Sequence, residues 1–291
     1  MPEGDTLYRT AHVLRKVLEG EEVRAARGRV DGAALERLVG STVERVESNG
    51  KHLLIRFSTG LTLHTHLAMH GSWHRYVPGE QWRRSPSRAV AVIEVARAVA
   101  VCFDAPTVEL LDSRALVLHP ALRDLGPDLL APEFGVDGAV ARLRSPGRAE
   151  VPIGDALLDQ RAVAGIGNVF RSEVCFVARV DPFLPVGQVD DEALRRLLST
   201  ARRLLTANRL RAGRTTTPDL LGGEPESRGP RATAADLWVY ARAGRPCRRC
   251  GTAVRTRVSG APPRRIYWCP ACQPRAMVME AAAARPRSPI A

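Results

Sequence analysis

The sequence predicts an α+β chain of several domains: an N-terminal β-sandwich with flanking helices, a helical domain in the middle and a small C-terminal β-hairpin module. Three observations carry this. Short apolar or alternating runs separated by glycines fill residues 43–118. Leucine-rich runs at helical spacing follow His119-Pro120. Two Cys-x2-Cys pairs stand near the C-terminus.

At the N-terminus, Leu7, Ala11, Leu14 and Leu18 recur at helical spacing, Asp5 is placed to cap the helix and Gly20 ends it. Pro2 and Glu3 therefore lie just before the first helix. The runs Val43–Val46, His52–Phe57, Leu61–Leu67, Val90–Val95 and Ala98–Phe103 read as strands of an antiparallel sandwich or barrel, with Gly50, Gly60, Gly71 and Pro78-Gly79 between them. Helices are expected at Val136–Leu143, at Ile153–Leu158, after a capping Asn168 and after a capping Asp190. Gly213–Ala232 is rich in Gly, Pro and Thr and reads as a mobile loop. From about Ala276 the sequence is a tail of low complexity.

Charge narrows the function classes. The net charge is +12, and from Arg202 onward 18 basic residues face only 5 acidic ones. A basic C-terminal third suits a polyphosphate partner, because phosphate neutralisation drives most nonspecific binding to nucleic acids. No run approaches the roughly 20 apolar residues of a membrane span, and MPEGDTLYRT lacks a basic segment followed by an apolar one. The expectation is a monomeric, cytoplasmic, nucleoid-associated protein with no membrane partner. Only Lys16 and Lys51 are lysines among 43 basic residues. Where Arg is so strongly favoured, a retained Lys suggests a job for a compact ammonium group; Lys16, on the expected first helix, shows no evident one, so the bias alone does not single out Lys51.

Cys247, Cys250, Cys269 and Cys272 form two Cys-x2-Cys knuckles with 18 residues between them. Four thiolates at this spacing suit one structural zinc better than disulfides or free thiols. Between the knuckles, Val254, Thr256 and Val258 alternate with Arg255 and Arg257, and Ser259–Pro262 turn the chain into Arg264–Trp268. That is a β-hairpin zinc finger rather than a base-reading helix. Cys102 and Cys175 sit in apolar runs and read as core.

Met1 before Pro2 is normally removed, which exposes a secondary amine. An α-amino group titrates near about 8, well below a lysine at about 10.4, so part of it is neutral at pH 7. Attack on a sugar C1′ would give an iminium ion, an electron sink for elimination, and the neighbouring Glu3 could act as acid or base.

Four stretches, Met1-Pro2-Glu3-Gly4, Asn49-Gly50-Lys51-His52-Leu53-Leu54, LLDQRAVAGIGNVFRSEV from Leu157, and the cysteine module ending IYWCPACQ, resemble in content and order the formamidopyrimidine-DNA glycosylase/endonuclease VIII family. The likeness covers residues 1 to about 274, and Gly4 is closer to the endonuclease VIII branch. It implies a bifunctional DNA glycosylase/AP lyase of base excision repair that removes oxidised bases, pyrimidines favoured, and cuts the strand by β/δ elimination. It implies Pro2 as nucleophile, Glu3 as proton carrier, Lys51 and Arg264 as catalytic-site cations, and Asn168 with Gly167 as phosphate ligands in a helix–two-turns–helix motif. Met69, with His70 beside it, would fill the gap left by the flipped nucleotide. The implied domains are 1–122 (catalytic β-sandwich), 123–236 (helix–two-turns–helix), 237–274 (zinc finger) and 275–291 (flexible tail), with damaged DNA as partner.

One departure and three rivals accompany this reading. Asp5-Thr6 stands where the family often has Pro-Glu, which leaves the ordering role of that Glu unassigned. His64, His66 and His70 suggest a metal site but have no acidic partner at a standard spacing. A zinc-ribbon factor explains the finger and the charge but not MPEG. A noncatalytic damage-binding protein explains all but the intact set Pro2, Glu3 and Lys51.

Overall fold

The computed structural model describes residues 2–28, 35–211, 213–217 and 236–274. Helix α1 (Gly4–Leu18) turns Leu7, Ala11, Leu14 and Leu18 inward. Eight strands follow: β1 (Ala25–Gly28), β2 (Val43–Asn49), β3 (His52–Phe57), β4 (Thr62–His66), β5 (Ser72–Tyr76), β6 (Ala89–Glu94), β7 (Val99–Phe103) and β8 (Thr107–Leu111). They form two four-stranded antiparallel sheets, ordered β1-β6-β7-β5 and β2-β3-β4-β8. Strand alternation sends Leu53, Ile55, Phe57 and Leu63 from one sheet, and Ala91, Ile93, Ala100 and Cys102 from the other, into one core with the buried face of α1. The arrangement is the expected sandwich.

The expected strands are present within a few residues. β1, β5 and β8 were not anticipated. β5 reads SWHRY and β8 reads TVELL, short segments whose polar residues mask the alternation. β7 is buried on both faces because Tyr76, Val92, Val101 and Phe103 build a second, smaller cluster outside the first sheet.

Two short helices, α2 (Ser113–Leu118, capped by Asp112) and α3 (Pro120–Arg123), lead out of the sandwich. The helical part comprises α4 (Val136–Leu143), α5 (Ile153–Ala156), α6 (Asn168–Val177) and α7 (Asp191–Asn208) around a second core. Asp190 caps α7 as expected, accepting from the Ala193 amide at 2.6 Å. Two capping expectations are corrected. Asp5 lies inside α1, whose N-cap is Glu3. Asn168 is the first residue of α6, whose N-cap is Gly167. The helix expected over Ile153–Leu158 is a single turn, α5.

The cysteine module forms the expected hairpin of β9 (Arg255–Ser259) and β10 (Arg264–Trp268). It rests on α6 through Phe176, Val239, Val254 and Cys269. The tail 275–291 and most of the loop expected at 213–232 lie outside the described residues. Among the described residues no helix is long and apolar enough to cross a membrane.

Leu197 on α7 is fully buried, whereas Val13 on α1 is 41% exposed. Leu197→Ala is expected to cost about 2–5 kcal/mol in urea unfolding, and Val13→Ala no more than about 0.5 kcal/mol.

Candidate active site

The site is built where the N-terminus meets the loop ahead of α6. The Glu3 carboxylate is fully buried and accepts from the amides of Gly167 (2.8 Å), Val169 (2.8 Å) and Phe170 (3.3 Å). These are unpaired donors at a helix N-terminus, a natural anion site. The Gly4 amide donates to the Gly165 carbonyl at 2.9 Å. Close approach demands glycine here. A Cβ on Gly167 would lie 2.4 Å from the Glu3 side chain, and one on Gly4 would lie 2.9 Å from the Gly165 Cα. The sequence reading gave this terminus to a DNA phosphate. In the structure the Gly167 amide and the helix end are taken by Glu3.

Lys51 sits at the β2–β3 turn. Gly50, in the left-handed region at φ +58°, packs against Ala164 and donates its amide to Asp128 at 2.9 Å. That contact seats the turn on the helical part. Burial pulls the Lys51 ammonium down to about 8; Glu3 opposes the shift, while Arg264 and Arg214 add to it. A cavity of about 460 Å³ opens here, and Pro2, Lys51, His66, Met69, Gln160 and Arg264 are among its walls. Met69, on the turn after β4, is 63% exposed at the rim. His70 is exposed beside it but is not in the wall, which His66 joins instead.

Asn168 is buried and faces protein. Its amide nitrogen donates to the Arg265 carbonyl at 3.0 Å, and its oxygen accepts from Arg171 at 2.7 Å. Arg171 is fully buried and also pairs with Asp155 at 2.6 Å and reaches the Arg264 carbonyl at 3.3 Å. Asp155 in turn accepts from Ser259 at 2.6 Å. Asn168 and Arg171 therefore hold the backbone of the hairpin whose Arg264 side chain enters the cavity wall.

Sequence reasoning missed two anchors. The first is Arg214. Its guanidinium grips Asp5 at 2.7 and 2.6 Å, touches the Thr6 hydroxyl at 2.9 Å and lies 3.7 Å from Glu3. Burial works against its charge, but Asp5 and Glu3 outweigh that and hold its pKa above the usual arginine value. The pair Asp5–Arg214 orders the N-terminus where Asp5-Thr6 departs from the common family residues. The second is Glu173, fully buried on α6, which accepts from the amides of Trp238 (2.8 Å), Val239 (2.9 Å) and Tyr240 (2.8 Å) and from the Thr216 hydroxyl. Neither partner set has a short-range spacing that sequence could show.

The four cysteine sulfurs converge. Cys247 and Cys272 are 3.9 Å apart, Cys250 and Cys269 are 3.5 Å apart, and all four lie within 4.8 Å of one another. Thiolates about 2.3 Å from a tetrahedral zinc stand about 3.8 Å apart, so the donor set and its spacing fit a metal ion. Such an ion would fix the two knuckles and, through them, the hairpin.

Two family profiles match the chain: the formamidopyrimidine-DNA glycosylase N-terminal domain over residues 1–116 and the formamidopyrimidine-DNA glycosylase H2TH domain over residues 125–219. A Streptomyces coelicolor protein named "Probable endonuclease 8 2" is 43% identical, with 94% of each chain covered. The chain belongs to the formamidopyrimidine-DNA glycosylase/endonuclease VIII family. Another relative within it is the DNA-(apurinic or apyrimidinic site) lyase Nei2 of Mycolicibacterium smegmatis, 41% identical over 94% of this chain and 99% of that one. Endonuclease 8 2 of Mycobacterium tuberculosis is 42% identical over 94% and 100%. The family fold is also that of Lactococcus lactis Fpg in complexes with a benzylated Fapy-dG DNA and with abasic-site DNA. Both have TM-scores of 0.77, at 20% and 21% identity, and cover 94% of this chain and all of that one.

Removing one partner of a buried pair leaves an uncompensated charge. Arg214→Gln is expected to cost about 3–5 kcal/mol in chemical unfolding. The double variant Asp5→Asn/Arg214→Gln should recover a measurable part of that loss in the same experiment.

Proposed function

We propose that this chain is a bifunctional DNA glycosylase and AP lyase of base excision repair that removes oxidised bases, pyrimidines favoured, from damaged DNA. The observation that carries the reading is the convergence of Pro2, Lys51 and Arg264 on one cavity, with Glu3 locked directly behind Pro2. These residues come from the N-terminus, a strand turn and the zinc hairpin, and no requirement of packing alone would gather them.

In the proposed reaction Met1 is removed and the Pro2 nitrogen attacks C1′ of a flipped nucleotide. The bond to the base breaks, and the base leaves with the bonding electrons and takes up a proton. As the iminium forms, Pro2 gives its N–H proton to Glu3, and Glu3 returns it to the O4′ of the opened sugar. The iminium then withdraws electrons as a C2′ proton is lost and the 3′-phosphate departs; a second elimination releases the 5′-phosphate. Lys51 and Arg264 serve the phosphates beside the lesion, and Met69 fills the vacated stack with His70 next to it. Asn168 and Gly167 support these contacts from behind, as holders of the hairpin and of Glu3. One zinc on Cys247, Cys250, Cys269 and Cys272 is structural.

The division we propose is a catalytic sandwich over 1–122, a helix–two-turns–helix domain over 123–236, a zinc finger over 237–274 and a tail over 275–291. The protein acts as a cytoplasmic, nucleoid-associated monomer.

Borohydride reduction of the protein with DNA carrying one abasic site is expected to trap a covalent adduct at Pro2, read by peptide mass. Pro2→Gly, a primary amine, should keep measurable lyase activity, and a blocked N-terminus should keep none. Tight binding without an adduct would make the chain a damage-binding protein instead. Lys51 acts as a cation, and its depressed pKa means that charge disappears as pH rises through about 8. Accordingly kcat/KM should fall above pH of about 8, and Lys51→Arg should move the fall to higher pH.

A further inference from the structure

The second sheet has an outer face that carries one cluster outside the walls of the lyase cavity. On β3, β4 and β8 the residues Leu53, Ile55, Leu63 and Val108 point into the core. Alternation therefore turns His52, His64 and Glu109 to the other side, where His64 and Glu109 are direct cross-strand partners. His119, between α2 and α3, folds over them. Glu109 Oε2 lies 2.7 Å from His64 Nδ1 and 3.0 Å from His119 Nε2. The sequence offered His64, His66 and His70 with no acidic partner. The fold replaces the last two by Glu109 and His119, 45 and 55 positions from His64 and brought to it by sheet pairing.

We propose that His64, Glu109 and His119 bind a divalent first-row transition ion, Zn²⁺ by preference, at a site separate from the four-cysteine centre. Two lines support it. First, two imidazole nitrogens and one carboxylate oxygen lie within 4.8 Å of one another. A tetrahedral zinc with bonds of about 2.0–2.2 Å sets its donors about 3.4 Å apart, so opening the 2.7 and 3.0 Å contacts of Glu109 by about 0.4–0.7 Å admits the ion. Second, an outer layer is in place. His64 Nε2 meets His52 Nδ1 at 2.8 Å. A ligating histidine that donates its far N–H to a fixed partner is the usual way its metal-facing nitrogen is oriented. His119 Nδ1 is buried without a hydrogen-bond partner among the described residues. The Glu109 side chain is 34% exposed, which leaves a way in and a place for water as fourth ligand.

The donor set of two imidazoles and one carboxylate distinguishes this site from the thiolate centre, since nitrogen and oxygen donors admit several divalent ions whereas four thiolates favour zinc. Its position has a consequence for the hairpin it grips. His52 directly follows Lys51, and β4 leads into the turn that carries Met69, so an ion there would tie the roots of both.

The test is equilibrium dialysis of the full chain against buffered micromolar Zn²⁺ at neutral pH, with zinc counted by mass spectrometry and thermal unfolding followed in parallel. The expected result is two zinc ions per wild-type chain, and one in Glu109→Gln and in His119→Gln. Retention of that one ion shows that the variants are folded around the cysteine centre. The melting temperature of the wild type should rise with free Zn²⁺, and that of the two variants should not. One ion in the wild type would overturn the proposal. So would two ions in both variants, because the second ion would then sit elsewhere.

Discussion

The carboxylate of Glu3 at the first turn of α6 is the contact on which the site depends. It joins the extreme N-terminus to the helical domain through three amide donors, and it does so in the interior, where a charge without such donors is costly. Everything around it follows from the closeness it requires. Gly4 and Gly167 have no Cβ because one would occupy the space of the partner segment. Gly50 lets the Lys51 turn approach the same loop, with Asp128 holding its amide. Pro2 is thus placed by the carboxylate beside it rather than by packing of its own.

Helix α6 repays that arrangement by serving three partners at once. Nine of its ten residues, all but Val177, are buried, including charged residues that would be unusual in a helix serving only as core. Its N-terminus takes Glu3, Arg171 and Asn168 take the cysteine-module hairpin, and Glu173 takes the 238–240 backbone. Each buried charge has a counterpart: Asp155 for Arg171, amides and a hydroxyl for Glu173. The cavity lies between these attachments, so its walls come from parts of the chain far apart in sequence but fastened to one short helix.

How much of this could be read in the sequence depends on the range of each signal. The cysteine knuckles, the α7 cap at Asp190 and the leucines of α1 and α7 are local patterns, and they were legible. MPEG and the run around Asn168 were legible through their family likeness, which named the residues but not their contacts. Asn168 shows the difference: the likeness marked it as a phosphate ligand, and the contact of its side chain with the Arg265 carbonyl is visible only in the structure. Arg214 was invisible for a related reason. Its partners Asp5 and Thr6 lie more than 200 positions away, and a lone arginine in a Gly- and Thr-rich segment carries no period or spacing. β5 and β8 were missed because their partners, rather than their own apolar content, make them strands.

The Glu173 carboxylate has one more effect. It holds Thr216 on one side and Trp238 on the other, and the Thr216 amide also donates to the Asp236 carbonyl at 3.0 Å. The described segments 213–217 and 236–274 are therefore fastened to each other at a single clasp. Closing a flexible segment at a fixed point costs only about 0.6 kcal/mol for each doubling of its length. A change in the length of chain between Thr217 and Asp236 is accordingly cheap as long as this clasp is kept.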